Sequence, residues 1–223
     1  MQFTFHKNAK DKNLKIDGDL HKYIFKVRRH NSSKNIFFRN MKDDFIYEYK
    51  VISTSRRDAT LELVSQEEKI IKAKKDLHIG WCLIDPKSIE KVLASLNEIG
   101  VNKITFIKCD YSQNNIKLNY EKLNKILINS SCQSGRSDII KFEESESLEE
   151  FKKEYPKSYM FNFSSNDISD CKDDIETIVL GCEGGFSSDE VLSFSEDKIV
   201  GVDSSMIMRS ETAIVTIASK VLF

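Results

Sequence analysis

From residue 77 onward, short apolar runs alternate with segments whose apolar residues recur at helical spacing, and this alternation restricts the fold more than any other feature. Residues 77–84 read as a buried strand. Asp85 is placed to cap a helix with Pro86 at its first position, Ile89, Val92, Leu93, Leu96 and Ile99 share one face, and Gly100 ends it. Residues 101–107 form the next predicted strand. Asn119 then caps a helix carrying Leu123, Ile126 and Leu127, and an acidic helix around Leu148 and Phe151 precedes a strand over residues 159–163. Residues 175–180 and 199–202 are further strands, each leading through a loop into a helix. Strands separated by helices pair in parallel, with helices on both faces, and such sheets bind ligands beyond the carboxyl ends of their strands.

The chain before residue 70 has a different period. Residues 36–38, 45–51 and 60–64 alternate as strands, with Phe45, Tyr47, Tyr49 and Val51 on one face and turn-forming residues 40–44 ahead of them, the pattern of a hairpin in a small β-barrel. Residues 21–29 interrupt it as one or two helical turns that expose Lys26, Arg28 and Arg29. A lysine-rich stretch, residues 67–76, reads as a linker or connecting strand. Charge divides at the same place: residues up to Lys75 carry a formal charge of +8 and the remainder −9. A basic domain suits a nucleic-acid backbone, although a lysine-rich solvated face explains the charge equally well.

At 223 residues the chain has room for two modest domains. It has no apolar run of membrane length and no apolar signal segment in residues 1–15, so a cytoplasmic address is expected. The five cysteines are widely spaced and show no metal-ligand pattern, which predicts reduced thiols and no metal site.

Three loops offer chemistry. Gly181-Cys182-Glu183-Gly184-Gly185-Phe186 follows a predicted strand, and Ser187 with Glu190 has the spacing of a capping box. There is no Walker lysine, and Glu183 would repel a phosphate, whereas a carboxylate suits a cationic ligand bearing ribose hydroxyls. Alone, the segment fits an ordinary tight turn before a helix. Residues 206–213 place Arg209 before the last helix, where an exposed pair with Glu211 is the plain alternative and Ser210 and Thr212 are ordinary helix starters. In residues 131–136, Gly135 suits a helix C-cap and Arg136 a partner for the helix dipole.

Together, in this order, these segments resemble the ribosomal-RNA uridine N3-methyltransferase family (RsmE type) of the SPOUT superfamily. Gly181, Glu183, Gly184, Gly185 and Phe186 match its Gly-Pro-Glu-Gly-Gly-Phe loop, and Ile207, Arg209, Glu211, Thr212 and Ala213 match the segment opening its last helix. Residues 98–101, the segment Gln133 to Arg136, and His21 with Val27, Arg28 and Arg29 match earlier family stretches, so the likeness covers essentially the whole chain. Cys182 stands for the family's proline, Asp203 and Ser204 for Leu-Gly, Met206 for an arginine, and Ser95 for a lysine.

The resemblance implies an α/β protein: a PUA-like β-barrel for RNA over residues 1–70 and a SPOUT methyltransferase domain over 71–223, with a C-terminal trefoil knot and a homodimer that completes the site. It implies S-adenosylmethionine as cofactor, held by Asn162, Leu180, Gly181, Glu183, Gly184, Val202, Ser204, Met206, Ile207 and Met208. Arg209 and Glu211 would be catalytic. Lys26, Arg28, Arg29, Gln133 and Arg136 would contact the substrate, 16S ribosomal RNA of the small subunit, without a metal. The departures leave two alternatives: a non-catalytic assembly protein that binds the ribosome on the same scaffold, or a related enzyme with another RNA target.

Overall fold

A computed structural model describes residues 2–113 and 116–223; Met1, Asn114 and Asn115 lie outside the described residues. The chain divides into two compact units, Met1–Lys72 with Ser131–Asp138, and Ala73–Ser130 with Ile139–Phe223.

The first unit is built on five strands, β1 (Thr4–Phe5), β2 (Asn13–Asp17), β3 (Ile36–Arg39), β4 (Phe45–Thr54) and β5 (Asp58–Glu68), in the order β1-β3-β4-β5-β2. All pairings are antiparallel except β1 with β3. Tyr47 and Tyr49 are buried as their alternation predicts, and each phenol finds a partner: Tyr47 donates to Asp43 at 2.8 Å and Tyr49 to the Asp11 carbonyl at 2.6 Å. Two register irregularities break the strict alternation of β4. Glu67 and Glu68, placed by sequence in a connecting stretch, instead pair with Ile46 and Phe45 at the end of β5. β2 was not predicted, because only Leu14 and Ile16 are apolar in a segment bounded by turn-forming residues.

The helical interruption is α1 (Gly18–His21), continued by a π-helical turn, Lys22–Val27, in which Arg28 N–H donates to the Tyr23 carbonyl at 2.8 Å. Ser131–Asp138 joins this unit through backbone bonds, with Phe3 N–H on the Cys132 carbonyl at 3.2 Å and Ser137 N–H on that of Ile71 at 2.9 Å.

The second unit is a six-stranded, wholly parallel sheet: β6 (His78–Cys82), β7 (Lys103–Ile107), β8 (Lys141–Ser145), β9 (Tyr159–Phe161), β10 (Thr177–Leu180) and β11 (Ile199–Val200), ordered β11-β9-β10-β6-β7-β8. Its helices are α2 (Pro86–Ile99), α3 (Tyr120–Ser134), α4 (Leu148–Glu154), α5 (Ser188–Leu192) and α6 (Ser210–Leu222), α3 running on into the segment that joins the first unit. The predicted punctuation forms. Asp85 accepts from the backbone of Lys87 and Ser88, Gly100 ends α2 at φ 114°, and Asn119 accepts from Lys122 N–H at 3.0 Å. β6 is buried along its whole length, as a central parallel strand should be. β8 was not predicted, since Lys-Phe-Glu-Glu-Ser alternates weakly and needs little burial at a sheet edge. No helix among the described residues is long and apolar enough to cross a membrane.

The cysteines correct one expectation. Cys82, the last residue of β6, and Cys109, just beyond β7, form a disulfide with their Cα atoms 5.6 Å apart, while Cys132, Cys171 and Cys182 are free. The pairing of adjacent parallel strands brings together two cysteines that lie 27 residues apart in sequence.

Candidate functional site

β9, β10 and β11 lie side by side, and the loops leaving their carboxyl ends form the walls of a cavity of about 980 Å³. The first wall comes from residues 161–167, the second from 180–186 and the third from 202–210. All ten residues that the resemblance assigns to a cofactor line it: Asn162 on the first wall, Leu180, Gly181, Glu183 and Gly184 on the second, and Val202, Ser204, Met206, Ile207 and Met208 on the third. Arg209 joins them, whereas Glu211, in the first turn of α6, does not line the cavity.

Backbone and side-chain hydrogen bonds hold each loop. In the second, the Gly185 N–H donates to the Cys182 carbonyl at 3.0 Å, and Gly185 takes φ +73°, a conformation that favours glycine. Cys182 is buried, which pushes its thiol pKa up, and its Sγ lies 3.6 Å from the Gly185 carbonyl. The capping box forms in full: Ser187 accepts from Glu190 N–H at 3.3 Å, and the Glu190 carboxylate accepts from Ser187 N–H at 2.8 Å. Glu190 also accepts from Asp110 N–H at 3.1 Å, and Ser187 donates to the Asp110 carboxylate at 2.5 Å, tying this loop to the one after β7.

The first and third walls meet at Gly201. A Cβ there would lie 2.7 Å from the Asn162 carbonyl oxygen, so a larger residue would force the loops apart. Gly201 N–H donates to the Asn166 carbonyl and Ile168 N–H to that of Gly201, both at 2.9 Å. In the third loop Ser204, where the resemblance leads one to expect glycine, accepts from Met206 N–H at 3.1 Å and closes a local turn.

Electrostatically the cavity is mixed. Glu183 and Arg209 are exposed at its surface, and no described residue forms an ion pair with either. The Asp167 carboxyl is held below the usual carboxylate range, first by the Ser169 backbone N–H, which donates at 2.7 Å. No group of three or more His, Cys, Asp or Glu suited to a metal occurs among the described residues.

Sequence reasoning missed Phe161, Phe163, Asp167 and Ser210 in the lining. Ser210, read as an ordinary helix starter, is buried: its hydroxyl donates to the Gly181 carbonyl at 2.8 Å and accepts from Trp81 Nε1 at 2.9 Å. Its place inside the Arg209–Glu211 segment was the one available signal.

The predicted RNA contacts all fall in the first unit. Lys26, Arg28 and Arg29 are exposed on and just after the π-helical turn, with the Arg28 guanidinium 4.8 Å from the Tyr23 ring centre. Gln133 is exposed near the end of α3. Arg136 is only 5% exposed and its Nε donates to Asp138 at 2.6 Å, so it serves as an internal pair and not as an outward cation.

Comparison with known proteins gives a consistent result. Residues 72–222 match the model of the RNA methyltransferase domain. The chain is 36% identical over 222 residues, 98% of each chain, to the ribosomal RNA small subunit methyltransferase E of Helicobacter pylori strain J99. It shares its fold with a Legionella pneumophila methyltransferase solved with its cofactor S-adenosylmethionine (TM-score 0.74, 18% identity, 98% of this chain and 95% of that one). It also shares it with the small subunit methyltransferase E of Neisseria gonorrhoeae bound to S-adenosylmethionine (TM-score 0.72, 15% identity, 98% and 95%). A family model spanning over half the chain and a relative this similar across its whole length establish that the chain belongs to the RNA methyltransferase family, among the ribosomal RNA small subunit methyltransferases E.

Proposed function

We propose that this protein transfers a methyl group from S-adenosylmethionine to N3 of a uridine in 16S ribosomal RNA of the small subunit. The observation that carries this reading is the convergence of the Gly181–Gly185 and 202–209 loops on one cavity at the carboxyl ends of adjacent parallel strands. Its residues fit the cofactor. Glu183 and Asp167 supply carboxylates for cationic groups, Gly185, with open space where a side chain would stand, leaves the loop backbone open to close approach, and Leu180, Val202 and Met208 offer apolar surface to an adenine.

When bound, the cofactor supplies a methyl group on a positively charged sulfur. The three loops would hold donor and acceptor in line, the requirement that dominates a displacement of this kind. Arg209, which makes no ion pair among the described residues, would stabilise the negative charge that develops on the uracil carbonyls. Glu211, two residues along and outside the lining, would orient Arg209 or accept the N3 proton.

In the same proposal the first unit is a PUA-like barrel that carries RNA on Lys26, Arg28, Arg29 and Gln133, with Arg136 holding the 131–138 segment in shape. The sheet order supports a knotted C-terminus: after the edge strand β11 the chain returns inward, where Ser210 bonds the loop after β10 and Trp81 of β6. A cytoplasmic homodimer completes the reading.

The test is titration calorimetry with S-adenosylmethionine, followed by methyl transfer to unmodified small subunits and mass spectrometry of the nucleosides. N3-methyluridine is the expected product. A ribose-methylated product would reassign the target, and absence of both binding and transfer would leave a non-catalytic ribosome-binding protein.

A further inference from the structure

Three large apolar side chains in the cavity lining are left almost wholly in solvent: Phe163 at 79% exposure, Met206 at 77% and Ile207 at 82%. Phe163 lies between bonded neighbours. On one side of it, Asn162 N–H donates to the Val200 carbonyl at 2.9 Å; on the other, the Ser164 hydroxyl donates to the Ile199 carbonyl at 2.9 Å. Two residues further, the Asn166 amide donates to the carbonyls of Glu196 at 3.0 Å and Ile199 at 3.1 Å. The segment flanking Phe163 is therefore fastened to β11 and to the 3-10 turn just before it, while the ring itself stands exposed at the cavity.

We propose that Phe163 is a base-stacking residue, holding the face of the nucleobase that receives the methyl group while Met206 and Ile207 supply the apolar remainder of the cavity mouth. This rests on the functional reading given above. A base modified in its plane must leave its own stack and enter the cavity, and enzymes that act on bases receive them against aromatic or apolar side chains. An exposed ring in the lining offers the flat surface this needs. Met206 stands where the family resemblance leads one to expect arginine, so this lip is apolar where contact with a phosphate would require charge. Stacking also tolerates any base, which separates it from whatever selects the target uridine.

The test compares full-length wild type with Phe163→Ala, Phe163→Tyr and Phe163→Leu in methyl transfer to unmodified small subunits, with S-adenosylmethionine affinity measured by calorimetry and mass by light scattering. Phe163→Ala is expected to lower kcat/KM for RNA by roughly ten- to a hundred-fold, the scale of one base–aromatic stack, and by at least ten-fold more than it weakens cofactor binding. Phe163→Tyr should restore transfer and Phe163→Leu should not. Unimpaired transfer by Phe163→Ala overturns the proposal, as does full rescue by leucine, which would reduce the role to apolar contact. A change in mass for Phe163→Ala would assign the ring to an interface between copies instead. Wild-type protein that transfers nothing would overturn the functional reading and this inference with it; active wild type beside an indifferent Phe163→Ala removes this inference alone.

Discussion

The Ser210 hydroxyl donates to the Gly181 carbonyl at 2.8 Å while accepting from Trp81 Nε1 at 2.9 Å, so the first residue of α6 fastens the glycine loop to the centre of the sheet. Both Trp81 and Ser210 are buried. Ser210→Ala would strand one buried donor and one buried acceptor, each worth about 1–3 kcal/mol when left unpaired. The variant is expected to lose roughly 2 kcal/mol or more in chemical denaturation and to bind S-adenosylmethionine more weakly. Undiminished stability would show that water or a shift of α6 replaces both bonds.

Arg209 differs from Ser210 in that nothing in the fold depends on its side chain, which is exposed and makes no ion pair among the described residues. Arg209→Ala should therefore unfold like wild type and keep its cofactor affinity, yet lose about 10²- to 10³-fold in kcat, the range seen when one donor to a developing oxyanion is removed. Transfer at the wild-type rate would remove the proposed role.

His78, at the start of β6, is buried between the rings of Phe151 and Tyr155. Its Nε2 meets the Thr105 hydroxyl at 2.8 Å, and Nδ1 has no partner among the described residues. Burial, reinforced by Lys103, lowers its pKa from 6.5 to about 3. Between these values the unfolded chain binds the proton and the folded chain does not. The stabilisation is thus complete above pH 6.5 and is lost as the pH falls toward 3, by up to about 1.4 kcal/mol per unit. Unfolding free energies measured between pH 7 and 4 should fall more steeply for wild type than for His78→Phe; parallel slopes would mean that His78 is not the group responsible.

The Cys82–Cys109 bond lies just before Asp110, which bonds both Ser187 and Glu190 beside the glycine loop. Thiol titration of unreduced, denatured protein should find three reactive cysteines, and five after reduction. For a crosslink spanning 27 residues, reduction should lower stability by roughly 3–4 kcal/mol on the loop-entropy scale. Five thiols without reductant would show the pair to be open in solution.

Punctuation was the most legible part of this chain. Asp85, Pro86 and Gly100 around α2, Asn119 before α3, and Ser187 with Glu190 at α5 are local devices, each satisfying orphan backbone groups within a few residues of itself, so spacing alone reveals them. Central strands such as β6 were legible because burial on both faces demands a continuous apolar run. β8, a polar edge strand, and β2, with two apolar residues, were not, since their pairing is imposed by neighbours distant in sequence.

At the cavity the same division holds. The amino-acid sequence by itself determined the alternation of strand and helix, the tight turn at Gly181–Gly185 and, through resemblance, the residues assigned to a cofactor, because these rest on local geometry and residue type. Only tertiary structure decided that Ser210 bonds Gly181 and Trp81, that Arg136 turns inward to Asp138, that Cys82 meets Cys109, and that Phe163 stands exposed at the cavity. Apart from the Arg136 pair, which rests on the burial of its own segment, each depends on the order in which the strands are laid side by side, and strand order is set by packing of the whole sheet, which no short stretch of residues contains.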